Sequence, residues 1–556
     1  MKSKMKFILG LLMALFGFIY IILALKNPGF FLPLKKGTTY VIYGGYIYTT
    51  IRLLIQNRIK GVKGKKIIIV GGGISGLISG IYARKAGFDV EIFEKNPVAG
   101  GECTGWDRGP YHIDNCIHWL MGTKQGSDLN KIWNTVGALD NVKVLSFDRM
   151  YTSKLNGKSI TLYQDADRTE RELIELSPED EEEIKKLINN VKKAENVMIP
   201  ANKPTDFWGL FDLIKMGKDM KVTFSLFKEY SGQDTKDLMN RFKHPLIKCM
   251  ISDFCTRESL GRSFPIAYGN FVSGDGGIPQ GGSRKMAERM EERLKALGGT
   301  IFKDSQVEKI EIKDKKGTGI IMSDGSFHSA DYIICACDTD WTFNHLLGKE
   351  YMSNLFREVY NNREAYPVYG MFQAAFAVDG DLTLDSETIL DFDKPEEWMS
   401  DRLTVKTYQY EPSFAPSGKQ ILQVLLGMEE KAYEYWEELY KNKEAYKAKK
   451  IEFAKVICQR ITDEYPQFEG KLELLDTWTP MTYKRYCNAY KGYNQAFVIT
   501  KKSRKNPYPS PYIKNLSNVI LSGQWVSPPG GLPGAAITGK FAVQRILKKE
   551  KQDVDI

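Results

Sequence analysis

The sequence predicts an α/β fold in which a parallel-sheet domain is interleaved with a second, mixed domain. Three observations carry this. Ile67-Ile68-Ile69-Val70 runs directly into Gly71-x-Gly73-x-x-Gly76. Val90-Glu91-Ile92-Phe93 follows a helix-length segment and ends on Glu94. Far downstream, Asn518-Val-Ile-Leu-Ser leads into a second glycine-rich stretch that begins at Gly523 and reaches Gly539.

The first stretch reads as a βαβ unit. A β-branched run is a buried parallel strand. A helix is expected over about residues 73–85, with Gly87 beyond its end. Gly71 permits the tight turn, Gly73 lets backbone approach a pyrophosphate, and Gly76 lets helix and strand pack closely. The helix N-terminus then turns free N–H groups and a positive dipole end toward the phosphates. Glu94 stands where a carboxylate accepts ribose hydroxyls. A bound dinucleotide on a Rossmann-like domain is therefore predicted, with Ile74, Ser75 and Lys95 completing the set of residues at this end.

Six residues after Glu94 comes Gly100-Gly101, then Glu102-Cys103-Thr104-Gly105-Trp106 and His112-Ile-Asp114-Asn-Cys116-Ile-His118. The tail reads Gly523-Gln524-Trp525-Val-Ser-Pro528-Pro-Gly530-Gly531-Leu-Pro-Gly534-Ala535. In these residues the chain resembles the flavin amine oxidase and phytoene desaturase superfamily, and more narrowly its phytoene desaturase, carotenoid isomerase and retinol saturase group. The resemblance covers about 64–123, 265–345 and 485–548. It implies FAD as the cofactor. It also implies that Gly523, Gln524, Gly530, Gly531, Gly534 and Ala535 bring a turn and a helix N-terminus to the flavin ring. Helix-end N–H groups there stabilise negative charge on a reduced flavin. Val307 follows the turn Gly276-Gly277-Ile-Pro279-Gln-Gly281-Gly282-Ser283 and a helix, and matches the adenine contact. Two positions depart from the pattern: Glu102, where many relatives carry arginine, and Cys116, where glycine is usual.

Candidates for proton transfer are His112, Asp114 and His118. In an extended segment residues two apart share a face, and a His/Asp pair beside a flavin moves protons. His118 is the first choice. A plainer role for Asp114 is to cap a turn.

The N-terminal residues read as a membrane module. Lys2, Lys4 and Lys6 precede residues 7–25, a run of 19 uncharged and mostly apolar residues. That is close to the ~20 needed to span a bilayer. It exceeds the ~7–15 apolar residues of a cleaved signal, and no A-x-A site follows. Residues 39–55, with Tyr40, Tyr43, Tyr46 and Tyr48, are expected to lie in the interface, with a second crossing of the membrane as the alternative. Arg52, Arg58, Lys60, Lys63, Lys65 and Lys66 form a basic collar suited to the anionic cytoplasmic leaflet. The membrane is the expected partner, with the catalytic body on its cytoplasmic side.

The remainder fills in the second domain. Ser177-Pro178 opens a helix with acids in its first turn, and Ser283 opens another that closes at Gly298-Gly299. Bulky apolar residues recur among lysines over 207–227, either as a helical core or as a lipid-facing or tunnel surface. Strands are expected near 369–378 and 421–426, and a charged helix over about 429–464. The predicted order is a membrane anchor and interfacial segment (1–63), the FAD domain (64–124, 265–348 and 485–556) and the substrate domain (125–264 and 349–484).

Other classes are excluded. The net charge of +10 is dispersed and accompanies no zinc-finger or RNA-binding signature, so nucleic acid is not an expected partner. Eight cysteines without a C-x-x-C pair read as reduced thiols, and five histidines show no metal spacing. No second dinucleotide fingerprint marks a nicotinamide domain. Electrons are expected to pass to or from a quinone, oxygen, a small redox protein or a transiently bound nicotinamide. The resemblance implies desaturation or saturation of carbon–carbon bonds in an apolar isoprenoid, polyene or lipid. A redox-neutral isomerase, a flavin-free prenyl-binding protein on the same fold and an amine oxidase are the alternatives. The intact glycines and Glu94 weigh against the flavin-free one.

Overall fold

Two sheets carry the architecture. In the computed structural model, which describes residues 62–197, 199–380 and 384–556, the first sheet is five-stranded and parallel. Its order is Val519–Leu521, Tyr332–Cys335, Lys66–Val70, Asp89–Phe93, Thr300–Phe302. Ile67, Ile68 and Ile69 sit at its centre, fully buried, as a strand covered on both faces requires. The crossover is the helix Ile74–Ala86, which ends on Gly87 at φ 99° with its N–H bonded back to Ala83 and Arg84.

The second sheet has seven strands in the order Leu472–Trp478, Tyr369–Asp379, Lys419–Glu429, Met399–Thr407, Glu387–Asp391, Arg149–Leu155, Lys158–Tyr163. Tyr369–Asp379 and Lys419–Glu429 pair antiparallel over their whole length. Alternation divides them cleanly. Phe372, Ala374, Phe376, Leu422, Val424 and Leu426 face the helix Lys443–Glu464 through Phe453, Ile457 and Ile461. Ala375, Ala377 and Ile421 face the other way, toward Tyr111 and Ile113 of the hairpin Gly105–Arg108/Tyr111–Asp114. That face also holds a buried polar pair, Gln423 donating to Gln373 at 3.1 Å.

A buried ion pair ties helix Pro245–Phe254 to this sheet. Arg402 Nε and Nη2 donate to the two oxygens of Asp253 at 2.6 and 2.8 Å, and Ser153 Oγ donates to the same carboxylate at 2.6 Å. Asp253 has no exposed side-chain surface.

Several local expectations are corrected. Ser177 does not cap through its side chain; its hydroxyl donates to Asp180 at 2.8 Å, a 3-10 turn spans Pro178–Asp180, and the helix starts at Glu181. Ser283 is not the cap of its helix, which runs Gly282–Ala296 from Gly281 without a local side-chain cap. The cap comes from Asp114, whose Oδ2 accepts from Ser283 N at 2.6 Å. The segment expected as one charged helix is two, Lys431–Tyr440 and Lys443–Glu464, because Asn442 starts a new N-cap that accepts from Ala445 N.

By contacts, residues 64–543 form one unit, and 544–556 group with residues 1–63 in another. The anchor expected at 7–25 and the interfacial segment at 39–55 lie outside the described residues. Among the described residues no helix is long and apolar enough to cross a membrane.

Candidate active site

One cleft opens at the carboxyl ends of the parallel strands. Gly71, Gly73, Ile74 and Ser75 line it from the first strand and helix. Glu94, Lys95, Gly100, Gly101 and Glu102 line it from the second strand end. Val307, Gly523, Gln524, Gly531 and Ala535 come from the distant segments. Three expected residues do not reach the cleft. A Cβ at Gly76 would stand 1.9 Å from the Gly71 carbonyl oxygen, so this glycine serves helix–strand contact. Gly530, at φ +96°, turns against Gln524, and Gly534 sits against the Ser527 carbonyl. These two shape the turn behind the wall.

The residues present fit a dinucleotide. The helix Ile74–Ala86 begins at Gly73 with no side-chain cap, which leaves its first-turn N–H groups for an anion. A Cβ on Gly73 would meet no protein atom nearer than 3.9 Å. Space there is kept for something other than protein. Glu94 Oε2 accepts from Gly72 N at 2.7 Å, and Oε1 accepts from Asn96 N and Nδ2 at 2.8 and 2.7 Å. A carboxylate offers about four lone pairs, so one remains, on Oε2. The expectation that Glu94 takes both ribose hydroxyls is thereby reduced to one while Asn96 stays bonded. Lys95 lines the cleft, but its ammonium is held by the Arg485 carbonyl and Asn488 Oδ1 at 2.8 and 2.7 Å.

Residues 329–338 resemble the family's strand that returns the chain to the FAD domain, but none of the third wall was named as a cofactor residue. Ala336, Cys337 and Asp338 follow the strand Tyr332–Cys335 into the cleft, and Cys116, Trp341, Tyr486 and Trp525 join them. Position was the available signal: Asp338 stands three residues beyond Cys335, in the strand adjoining Val70. Two of the cleft carboxyls have their pKa values raised. Burial pushes Glu102 well above the usual range, with the nearby Cys116 and Asp338 adding to it. Burial raises Asp338 to about 6, although Tyr490 N donates to it at 3.0 Å. The folded state thus keeps a proton on Asp338 that the unfolded chain releases near pH 4. Stability from this group is full below that pH and falls as pH rises to about 6, by roughly 3 kcal/mol. Asp338→Asn is expected to raise the melting temperature at pH 7.5 by clearly more than at pH 4.5, at fixed FAD. Equal shifts at both pH values would refute this.

The three proton-transfer candidates are not brought together. His112 Nδ1 pairs with Asp107 Oδ1 at 2.7 Å and its ring lies against Phe414. Asp114 is spent on Ser283, accepting from its N and Oγ. The strand ends there, so the shared face does not extend to His118. His118 opens instead into a second cavity, where Nδ1 lies 2.9 Å from Glu387 Oε2. None of the three lines the cleft, whereas Cys116 between them does.

Known proteins place this geometry. The family model described as flavin containing amine oxidoreductase matches residues 74–547. A 4,4'-diaponeurosporene oxygenase of Staphylococcus aureus strain MW2 is 22% identical over 520 residues, covering 88% of this chain and 99% of that protein. Among solved structures, an oxidoreductase from Methanosarcina mazei has a TM-score of 0.53 at 20% identity, covering 87% of this chain and all of the other. Wild-type putrescine oxidase bound to putrescine has a TM-score of 0.57 at 14% identity, covering 87% of this chain and 99% of the other. Bound in the cleft, FAD supplies two-electron hydride exchange with a substrate carbon. The chain belongs to the flavin containing amine oxidoreductase family, as a phytoene desaturase-like, FAD-dependent oxidoreductase.

Proposed function

We propose that the protein is a membrane-associated oxidoreductase that desaturates or saturates carbon–carbon bonds in an apolar isoprenoid, polyene or other lipid. The observation that carries this is an apolar surface on the helices Leu210–Asp219 and Lys221–Glu229. Leu210 is 71% exposed, and Leu213, Ile214 and Phe224 are each 54% exposed. Such a patch marks an interaction surface. Its surroundings suit a bilayer rather than a protein. The Arg262 guanidinium lies 4.1 Å over the Phe227 ring, and Tyr512, half exposed, donates to Asp206 at 3.1 Å. Lys221 and Lys228 add positive charge, while Lys203 is paired with Asp212 at 2.6 Å. Apolar side chains ringed by tyrosine and basic residues match the headgroup region of an anionic membrane. The anchor expected over residues 7–25 acts in the same sense. The similarity to oxygenases named for a carotenoid supports the substrate class.

Hydride exchange at one carbon needs a proton to leave or reach its neighbour. We assign that proton to Glu102, which lines the cleft and whose carboxyl burial pushes above the usual range. The electron partner is a quinone, oxygen, a small redox protein or a transient nicotinamide.

The test is anaerobic incubation of the holoprotein with lipid extracts, following flavin reduction or reoxidation and two-hydrogen mass changes. A converted lipid is the expected result. Turnover of water-soluble amines with no lipid change would overturn the reading, and a lipid converted without mass change would make the enzyme an isomerase. The variant Leu213→Glu/Phe224→Glu is expected to lose on the order of tenfold or more in rate on substrate held in anionic vesicles, and to act normally on detergent-dispersed substrate.

A further inference from the structure

The second cavity differs in character from the cleft. It measures about 40 Å³, room for about three waters or the end group of a ligand. Trp119, Phe147, Phe254, Phe271 and Ile278 give it apolar walls. Its polar lining is His118, Glu387 and Lys406, with Arg149, Ser386, Tyr151 and Tyr410 alongside. Lys406 is 3% exposed, and Nζ donates to the Ile117 carbonyl at 2.7 Å. An ammonium has three donors; with the Tyr408 ring 4.9 Å from Nζ, at least one remains. His118 uses Nδ1 on Glu387, which leaves Nε2.

With His118 as a neutral ring that donates from Nδ1, the Glu387 carboxylate and the Lys406 ammonium balance each other. Burial pushes Glu387 up, but the adjacent His118 and then Lys406 hold it below the usual carboxylate range. Burial lowers Lys406, with Asp114 and Glu387 opposing that. Arg149, also in the lining, is paired with Asp385. A buried anion entering here would leave one negative charge in excess, at high cost. A neutral oxygen would not: it accepts from Lys406, and a hydroxyl also donates to His118 Nε2.

The cavity is also close to the cleft. Cys116 lines the cleft and His118 lines the cavity, and two residues of extended chain span at most about 7 Å. Apolar walls with one hydrogen-bonding corner, one residue from the flavin site, are the features of an end-group pocket.

We propose that the cavity between Trp119, Phe147 and Phe254 and the His118–Glu387–Lys406 corner binds an uncharged oxygen function, hydroxyl or carbonyl, at one end of the hydrocarbon substrate. This rests on the lipid reading of the site and narrows it: the substrate is an isoprenoid alcohol or aldehyde rather than a bare hydrocarbon or an acid.

The test compares four C20 isoprenoids of one skeleton: geranylgeraniol, its aldehyde, its carboxylic acid and the corresponding hydrocarbon. Binding to the holoprotein in nanodiscs is followed by the shift of the flavin visible band and by tryptophan quenching. The alcohol and aldehyde are expected to bind at least tenfold more tightly than the hydrocarbon and the acid. In Lys406→Met that preference is expected to fall to within about twofold. Because Lys406→Met leaves Glu387 buried, the charge-neutral pair Lys406→Met/Glu387→Gln is measured beside it, with retained flavin absorbance showing that each is folded. Equal binding of all four by the wild type, tightest binding of the acid, or an unchanged preference in a flavin-retaining variant would each overturn the end-group pocket. Binding of no C20 probe by the yellow wild-type protein would instead overturn the lipid reading itself.

Discussion

Gly73→Val will yield a folded, colourless protein. The Gly73 backbone sits at φ −68°, a conformation valine adopts without strain, and a Cβ there would meet only Gly100 O and Gly101 Cα, each at 3.9 Å, without a clash. The branched side chain therefore projects into the space where the pyrophosphate meets the first-turn N–H groups. We expect FAD affinity to fall by at least a hundredfold, measured by flavin retention and reconstitution, with circular dichroism unchanged. Gly76→Val makes the contrast. Its Cβ would lie 1.9 Å from the Gly71 carbonyl oxygen, so strand and helix must separate, and the protein is expected to lose folded yield as well as flavin. If Gly73→Val retains FAD with native affinity, the phosphates do not lie at this helix end.

Arg402→Met will strongly destabilise the second domain. Burial raises Asp253 even with Arg402 beside it. Removing the guanidinium strands that carboxylate between Ser153 and the sheet. Breaking a buried pair in this way costs about 3–5 kcal/mol, visible as a lowered midpoint in urea. Arg402→Met/Asp253→Leu removes both charges and is expected to recover most of the loss. If the double variant is no more stable than the single one, the pair is not the source of the effect.

The cofactor end of the site was legible because phosphate binding constrains backbone. Gly71, Gly73 and Glu94 stand at fixed offsets from a strand and a helix, and the structure gathers them in the cleft as those offsets imply. The third wall has no such grammar. Asp338 and Cys337 enter the cleft because their strand pairs with Lys66–Val70 across more than 260 residues of chain; the resemblance points to that strand, and the pairing shows which of its residues reach the cleft. His118 was misplaced for a related reason. The same-face rule holds while the chain is extended, and the extension stops at Asp114, whose carboxylate turns away to start a helix 169 residues distant. Glu102 was noticed as a departure from the family pattern, but its raised pKa comes from burial and neighbours that spacing does not encode. In the second domain the alternating strands were readable. The apolar stretch near 207–227 was ambiguous between core and surface, since amphipathic periodicity is the same for both.

The parallel sheet is assembled out of chain order, and this sets when the enzyme can acquire its colour. The strand Lys66–Val70 is among the first described elements made, yet its neighbour on one side pairs in turn with Val519–Leu521. At about 5–20 residues per second, roughly 20–90 s separate synthesis of the second strand from that of the last. During that interval the βαβ unit has a phosphate-binding turn but no floor, and one edge of Tyr332–Cys335 lies open. FAD capture is therefore a late event that follows completion of the chain. A ribosome-stalled or C-terminally clipped product lacking residues 519–535 would be left with exposed strand edges and no flavin to hold them together, an aggregation hazard built into the topology.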